Sequence, residues 1–302
     1  MNLRHLLALS LCILVAGCGT LEKISEVGTG LASTAGVITE DQAKSINKSA
    51  GAIDKASESM TPEQEYYIGR TVAATILSQN KPYDQHIITT YLNTVGQYLA
   101  MFSDKPETFG GYHFLVMDTL DINAFAAPGG LILVSRGMLR CCKSEEALAG
   151  VLAHEIGHVE LNHGMQAIDK SRYSAVVTTL LAEGAKNLAG SNVAELTKAF
   201  EGSISDITSK MVNSGYSRKY EFQADKAAVT ILQRAGYSPY GLITMLQQME
   251  KQLKPGGHDF AKTHPAPADR ITELMKIIKT TPHADSTTAA RQARFNDNMR
   301  GV

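Results

Sequence analysis

The sequence predicts a mainly helical α+β domain with a small β-sheet beside one histidine-rich helix. Three observations predict it. Apolar residues recur at helical spacing in the first half, as in Ile88, Leu92, Val95 and Leu99. From Tyr112 the period changes to that of strands, in "YHFLVMD" and "GGLILVSR". The chain then returns to helix in "SEEALAGVLAHEIGHVELNH", residues 144–163. With 302 residues, 44% of them hydrophobic, there is enough apolar surface for one large domain or two small ones. A formal net charge of -1 leaves no basic field to draw in nucleic acid. Aromatic residues make up only 6% and Trp is absent, which argues against a binder that stacks bases or sugars.

Taken in order, the N-terminus is a targeting segment. "MNLRHLLALSLCILVAGC" has an early cation, Arg4, and an apolar run from Leu6 to Ala16 that is too short to span a bilayer. It ends in Val15-Ala16-Gly17-Cys18, which resembles a bacterial lipobox. That resemblance implies cleavage of residues 1–17 and lipid on Cys18. Gly19 follows in place of Asp, which implies the outer membrane, facing the periplasm, as the destination in a Gram-negative bacterium. Cys12 leaves with the signal, so only Cys141 and Cys142 remain as thiols. Adjacent cysteines close only a strained ring and lack metal-site spacing, so they are expected to be packing residues.

Residues 18–60 are rich in Gly, Ser, Thr and Ala with no aromatic, and are expected to form a tether. Order starts at Thr61, an N-cap, with Pro62 at the first helical position and Gln64 placed for a capping box. "PGG", Pro128 to Gly130, is a turn signal between the two strand runs. Ser144 caps the next helix, and Glu145 and Glu146 complement its dipole. Residues 174–190 are apolar but interrupted by polar residues and Gly, which fits a packed helix and not a membrane span. Residues 215–237 form another helix, Ser238-Pro239 starts one more, and "KPGGHDF" is a loop. Residues 269–279 close the body, 61–280, and a polar tail follows from 281 to 302.

The chemistry gathers in "LAHEIGHVELNH", residues 152–163, in a chain with only 9 His. His154 and His158 are one helical turn apart, so both imidazoles leave one face. Two imidazoles so spaced bind one zinc ion, and Glu155 beside them is a general base: the H-E-x-x-H arrangement. Zinc acidifies water and polarises a carbonyl, and the carboxylate takes the proton. Apolar Leu148, Val151 and Leu152 bury this helix, and buried imidazoles without a partner are costly. A third protein ligand is required. His163 lies nine residues after His154, on the far side if the helix continues, and is expected to be structural. Glu221 is the better ligand, in "SRKYEFQADKAA". Ala224 and Ala228 let its helix approach closely, and Asp225, one turn on, can accept the free N–H of a ligating histidine. Glu followed four residues later by Asp is similar to the gluzincin pattern.

Four stretches in order, "NAFAAPGGLILVSRGML", "LAHEIGHVELNHG", "YSRKYEFQAD" and "THPAPADRI", resemble the HtpX-like and CAAX-prenyl-protease-like zinc metallopeptidases over about residues 61–280. With the lipobox, the chain resembles their soluble periplasmic branch, of the BepA and LoiP type. That resemblance implies a zincin-like fold, one zinc ion per chain, and a role in outer-membrane protein quality control. It implies polypeptide substrates, with Asn123 near them in the cleft. It also implies that "GGLILV", with Gly129, Gly130 and Leu131, is an edge strand that pairs with an extended peptide. His264 would approach the metal, either donating to the oxyanion or filling the open position in a latent state. Arg270 would brace the site or contact substrate, and Arg218 would brace it from behind. Ala127 and Gln223 stand where some members carry Leu and Glu, and no departure removes a catalytic group. A chaperone or assembly factor that holds outer-membrane proteins in the same cleft is the alternative function.

Overall fold

The computed structural model describes residue 40 and residues 62–166, 204, 208–252, 264–278 and 286–302. The expected signal segment, lipidated Cys18, the tether apart from residue 40, the Thr61 cap, the stretch 174–190 and the loop 254–260 lie outside the described residues. Apart from residue 40, the described residues belong to one structural unit.

The elements run α1 (Pro62–Gln79), α2 (His86–Ala100), β1 (His113–Met117), β2 (Ala124–Ala127), a 3-10 turn at Pro128–Gly130, β3 (Leu131–Ser135), α3 (Arg136–Cys141) and α4 (Glu145–Glu160). A π-helical turn at Lys210–Ser214 precedes α5 (Arg218–Arg234), α6 (Tyr240–Gln252), α7 (Pro267–Ile277) and α8 (Ser286–Asn298). The architecture is therefore α+β and mainly helical, with a three-stranded sheet of order β1-β3-β2. β1 runs parallel to β3, with Phe114 opposite Ile132, and β2 runs antiparallel to it, with Phe125 opposite Leu133.

This order corrects one expectation. Leu131 begins the central strand, not an edge, because "AFAA" forms a strand of its own. That strand holds no β-branched residue, so propensity does not reveal it. Both faces of the sheet are buried, with period 2. Phe114, Val116, Ala126, Ile132 and Val134 join the main core with α2, α4, α5 and α6. Met117, Phe125, Ala127 and Leu133 face a second core with Ile68, Val72 and Ile76 of α1. The outer edge of β1 is closed at one end by backbone, where Tyr83 N donates to Val116 O and Asp118 N to Lys81 O, each at 2.8 Å, and at the other by a side chain. The Asn93 amide accepts from Phe114 N at 3.0 Å and donates to Phe114 O at 2.6 Å, standing in for a strand neighbour. The outer edge of β2 has no strand neighbour among the described residues.

Helix α4 runs through the main core. Ser144 caps it, its hydroxyl accepting from Ala147 N. Glu145 and Glu146 complement the dipole but also anchor other elements. Glu145, fully buried, accepts from the hydroxyls of Tyr91 and Tyr237, each at 2.8 Å, and from Nε of Arg294 at 2.8 Å. Glu146 accepts from Arg291 at 2.9 Å and from Ser238 N at 2.8 Å. Arg291 and Arg294 belong to α8, whose Phe295 is buried in the main core. Within the segment expected as a polar tail, Ser286–Asn298 is thus a folded helix docked on α4, because its arginines satisfy two buried carboxylates. Cys141 and Cys142 are buried thiols within the same core.

Helix α6 crosses α4 at Gly241, where an added Cβ would lie 2.1 Å from the Glu146 carbonyl oxygen. Backbone there cannot yield without separating the helices. Gly241→Ala is expected to destabilise the fold by about 1–3 kcal/mol. Urea unfolding should show a lower midpoint at unchanged slope, and an unshifted midpoint would contradict the close crossing.

Candidate metal centre

Helices α4 and α5 cross at Gly157, where an added Cβ would lie 3.0 Å from the Ala224 carbonyl oxygen and 3.1 Å from Ala227 Cβ. Small residues on both sides let the axes approach, and the polar residues one turn apart on each helix then face each other. His154, His158, Glu221 and His264 each present one donor atom, all within 4.8 Å of one another. The Nε2 atoms of His154 and His158 are 3.2 Å apart. Glu221 oxygens lie 3.5 Å from each of them. A tetrahedral zinc ion with ligand bonds of about 2.0–2.1 Å sets its ligands about 3.3–3.4 Å apart. The cluster matches that spacing.

Charge points the same way. Glu221 is 0% exposed, and its Oε1 has no hydrogen-bond partner. No Arg or Lys pairs with Glu221 among the described residues. Burial alone would raise its pKa, yet the His264 and His158 rings outweigh burial and hold it well below the carboxylate range. A buried carboxylate oxygen that accepts no hydrogen bond, with an imidazole nitrogen 3.5 Å away, is a costly arrangement until a cation joins it. The residues present therefore fit a zinc ion.

Each group around the cluster is held from behind. Asp225 Oδ1 lies 2.9 Å from His154 Nδ1, so that nitrogen donates to it and Nε2 keeps its lone pair for the cluster. Arg270, 0% exposed, donates to both Asp225 oxygens, at 2.9 and 2.5 Å. Burial would raise the Asp225 pKa, but Arg270 and His154 bring it below its ordinary value. For His154, burial and Arg270 act downward, and the Asp225 and Glu221 carboxylates outweigh them, raising it to about 9. The same carboxylates that favour positive charge there favour a metal cation, which takes the place of the Nε2 proton on binding. His264 Nδ1 lies 2.5 Å from Glu221 Oε2, too short for two lone pairs, so His264 donates to the carboxylate. Glu155 is buried, and burial raises its carboxyl pKa, partly offset by His154 and His264. That suits a group that takes a proton and gives it back.

Other expected residues sit elsewhere. Arg218 does not brace the cluster: its side chain is 73% exposed and lies 3.4 Å from Asp269, tying α5 to α7. Its place one residue into α5 turns it to solvent. Asn123 is buried, and its side-chain oxygen accepts from Ala124 N at 2.9 Å, capping the start of β2. Gly129 and Gly130 are buried in the turn against α1, with Glu65 accepting from Gly129 N at 3.0 Å. Gly129 and Leu131 line a depression with Tyr66, Arg70 and His113, apart from the residues that line the crevice at Glu155. That crevice is narrow, between β2 on one side and Met211, Gly215, Tyr216 and His264 on the other. Sequence reasoning missed Tyr216, whose ring stacks on His158 at 4.6 Å. It also missed the reach of His163, whose Nδ1 is 3.0 Å from His158 Nδ1. The signal was Asn162: helix α4 ends at Glu160, and Asn162 takes a left-handed φ of 53°, which brings His163 back beside His158.

A sequence model of peptidase family M48 matches residues 87–278. The chain belongs to peptidase family M48. The resemblance carried by the four motifs agrees with that match. The chain is similar to the metalloprotease LoiP of Escherichia coli, 28% identical over 91% of this chain and 96% of that protein. It is similar to the beta-barrel assembly-enhancing protease of Escherichia coli, 29% identical over 62% of this chain. It spans 38% of the length of that relative. It is also similar to the mitochondrial metalloendopeptidase OMA1 of Schizosaccharomyces pombe, 30% identical over 64% of this chain and 54% of that protein.

The Asp225–Arg270 pair permits a direct test. Asp225→Asn would leave the Arg270 guanidinium buried without a carboxylate, which is expected to cost about 3–5 kcal/mol. Urea unfolding of the metal-free protein checks this, and a loss under about 1 kcal/mol would place the pair in solvent.

Proposed function

We propose that the chain is a zinc-dependent endopeptidase of the cell envelope that hydrolyses misfolded or surplus periplasmic and outer-membrane proteins. The observation that carries the reading is the buried Glu221 carboxylate, whose unpartnered Oε1 faces His158 Nε2 and whose Oε2 faces His154 Nε2, each at 3.5 Å. His154, His158 and Glu221 would hold the ion. Bound zinc supplies a Lewis acid that polarises a carbonyl and lowers the pKa of water. Glu155 takes the proton from the attacking water and passes it to the leaving amine. His264, released from Glu221, donates to the developing oxyanion. Asp225 and Arg270 keep the His154 proton on Nδ1 throughout.

The substrate strand pairs with β2. Ser135 N donates to Asn123 O at 3.0 Å, so in an antiparallel ladder residues 123, 125 and 127 bond towards β3. Ala124 and Ala126 then turn their backbone groups outward, beside Glu155 and His264. Ala126 N–H and the two carbonyls offer main-chain bonds to any extended segment, which suits unfolded clients of varied sequence. Lipid on Cys18 would hold the enzyme at the outer membrane, facing the periplasm. No helix among the described residues is long and apolar enough to cross a membrane. A binding role in the same cleft is favoured by one observation, that a relative is named for enhancing β-barrel assembly.

Purified protein is expected to carry one zinc ion, to cut casein, to lose cleavage on chelation and to regain it with zinc. Glu155→Gln should keep the zinc and lower the cleavage rate by about 10²–10⁴-fold. Cleavage that survives chelation would overturn the assignment. Full envelope integrity in cells carrying Glu155→Gln would instead give the binding role precedence.

A further inference from the structure

His154 and His158 are held from behind by different chemistry. Behind His154 stands a carboxylate, Asp225, neutralised by Arg270. Behind His158 stands another imidazole, with the two Nδ1 atoms 3.0 Å apart. That second ring, His163, is 1% exposed and lies parallel to the Tyr220 ring at 4.5 Å. Its backbone position is set by the left-handed turn at Asn162, whose side-chain oxygen accepts from Lys105 at 2.8 Å.

Two nitrogens at this distance share a single proton. If His158 gives the Nε2 lone pair to a metal, its remaining proton must sit on Nδ1. His163 Nδ1 must then be the acceptor, and the His163 proton must sit on Nε2. Gln223 of α5 lies close to His163, and its amide oxygen is the group there that can accept an imidazole N–H. The proton positions on His158 and His163 are thereby fixed from the metal side outward.

We propose that His163 is a positioning residue of the zinc centre, accepting the Nδ1 proton of His158 and thereby fixing the tautomer and ring orientation that aim His158 Nε2 at the ion. This rests on the zinc reading above. The partner it supplies is neutral, whereas His154 has an anionic one. The two ligating imidazoles therefore differ in basicity, and His158 is the weaker donor. Gln223 occupies the outer end, where a carboxylate would make His163, and through it His158, more basic.

The test measures zinc affinity of the full chain by competition with a chromogenic chelator. His163→Phe keeps a ring against Tyr220 and removes the acceptor. It is expected to bind zinc about 10–100-fold more weakly than wild type. His163→Asn, whose amide oxygen can stand where Nδ1 stood, should recover most of the loss. Gln223→Glu, at an exposed position, should tighten zinc binding and Gln223→Leu should weaken it a few-fold, which keeps the test open if His163→Phe does not fold. In zinc-loaded protein, the His158 Nδ1 proton should give a slowly exchanging NMR signal that His163→Phe loses. Equal zinc affinity in wild type, His163→Phe and Gln223→Leu would remove the proposal and leave the zinc reading intact. Wild-type protein that binds no zinc would remove the zinc reading itself.

Discussion

The crossing of α4 and α5 at Gly157 and Ala224 is the constraint from which the site follows. A Cβ at residue 157 would lie 3.0 Å from the Ala224 carbonyl oxygen, so a side chain there would press the helices apart by a few tenths of an ångström. Once the helices are this close, residues one turn apart on each must meet. His154 and His158 come from α4, and Glu221 and Asp225 come from α5. The same crossing places Tyr220 and Gln223 beside His163.

Burial makes the arrangement demanding. Glu145, Glu221, Asp225 and Arg270 are all buried, and a charge in such a place must be matched or it costs several kcal/mol, about 3–5 when one partner is missing. The chain matches three of them internally. Arg270 answers Asp225, and Arg294 with two tyrosine hydroxyls answers Glu145. Among the described residues no Arg or Lys forms an ion pair with Glu221, and its Oε1 accepts no hydrogen bond. The fold is thus self-sufficient around the centre and deficient at its middle, where a cation is needed. This contrast separates a metal site from an ordinary buried ion-pair network.

Much of this was legible in the sequence, and for a definite reason. His154, Glu155, His158, Glu221 and Asp225 lie on helices with fixed 3.6-residue geometry, so spacing alone places them on common faces. Ala224 marked the close approach, and Arg270 was found by motif. What stayed hidden depends on turns and on contacts between distant segments. The strand "AFAA" has no propensity signal, so the sheet edge was assigned to Leu131 instead. The orientation of His163 turns on one left-handed residue, Asn162. The docking of α8 needs Arg291 and Arg294 to meet carboxylates 145 and 149 positions away in sequence, which no local pattern encodes. Arg218 was misplaced because a residue at the start of a helix can face solvent while Glu221, three residues on, faces the core.

The central claim is that one divalent cation sits between His154, His158 and Glu221. An anomalous difference map from crystals of the zinc-loaded protein, recorded on either side of the zinc absorption edge, tests it most directly. The account predicts one strong peak per chain, about 2.0–2.1 Å from Nε2 of both histidines and from a Glu221 oxygen. A peak bound to other residues, or a fully loaded protein with density for water and no anomalous signal at that point, would contradict it.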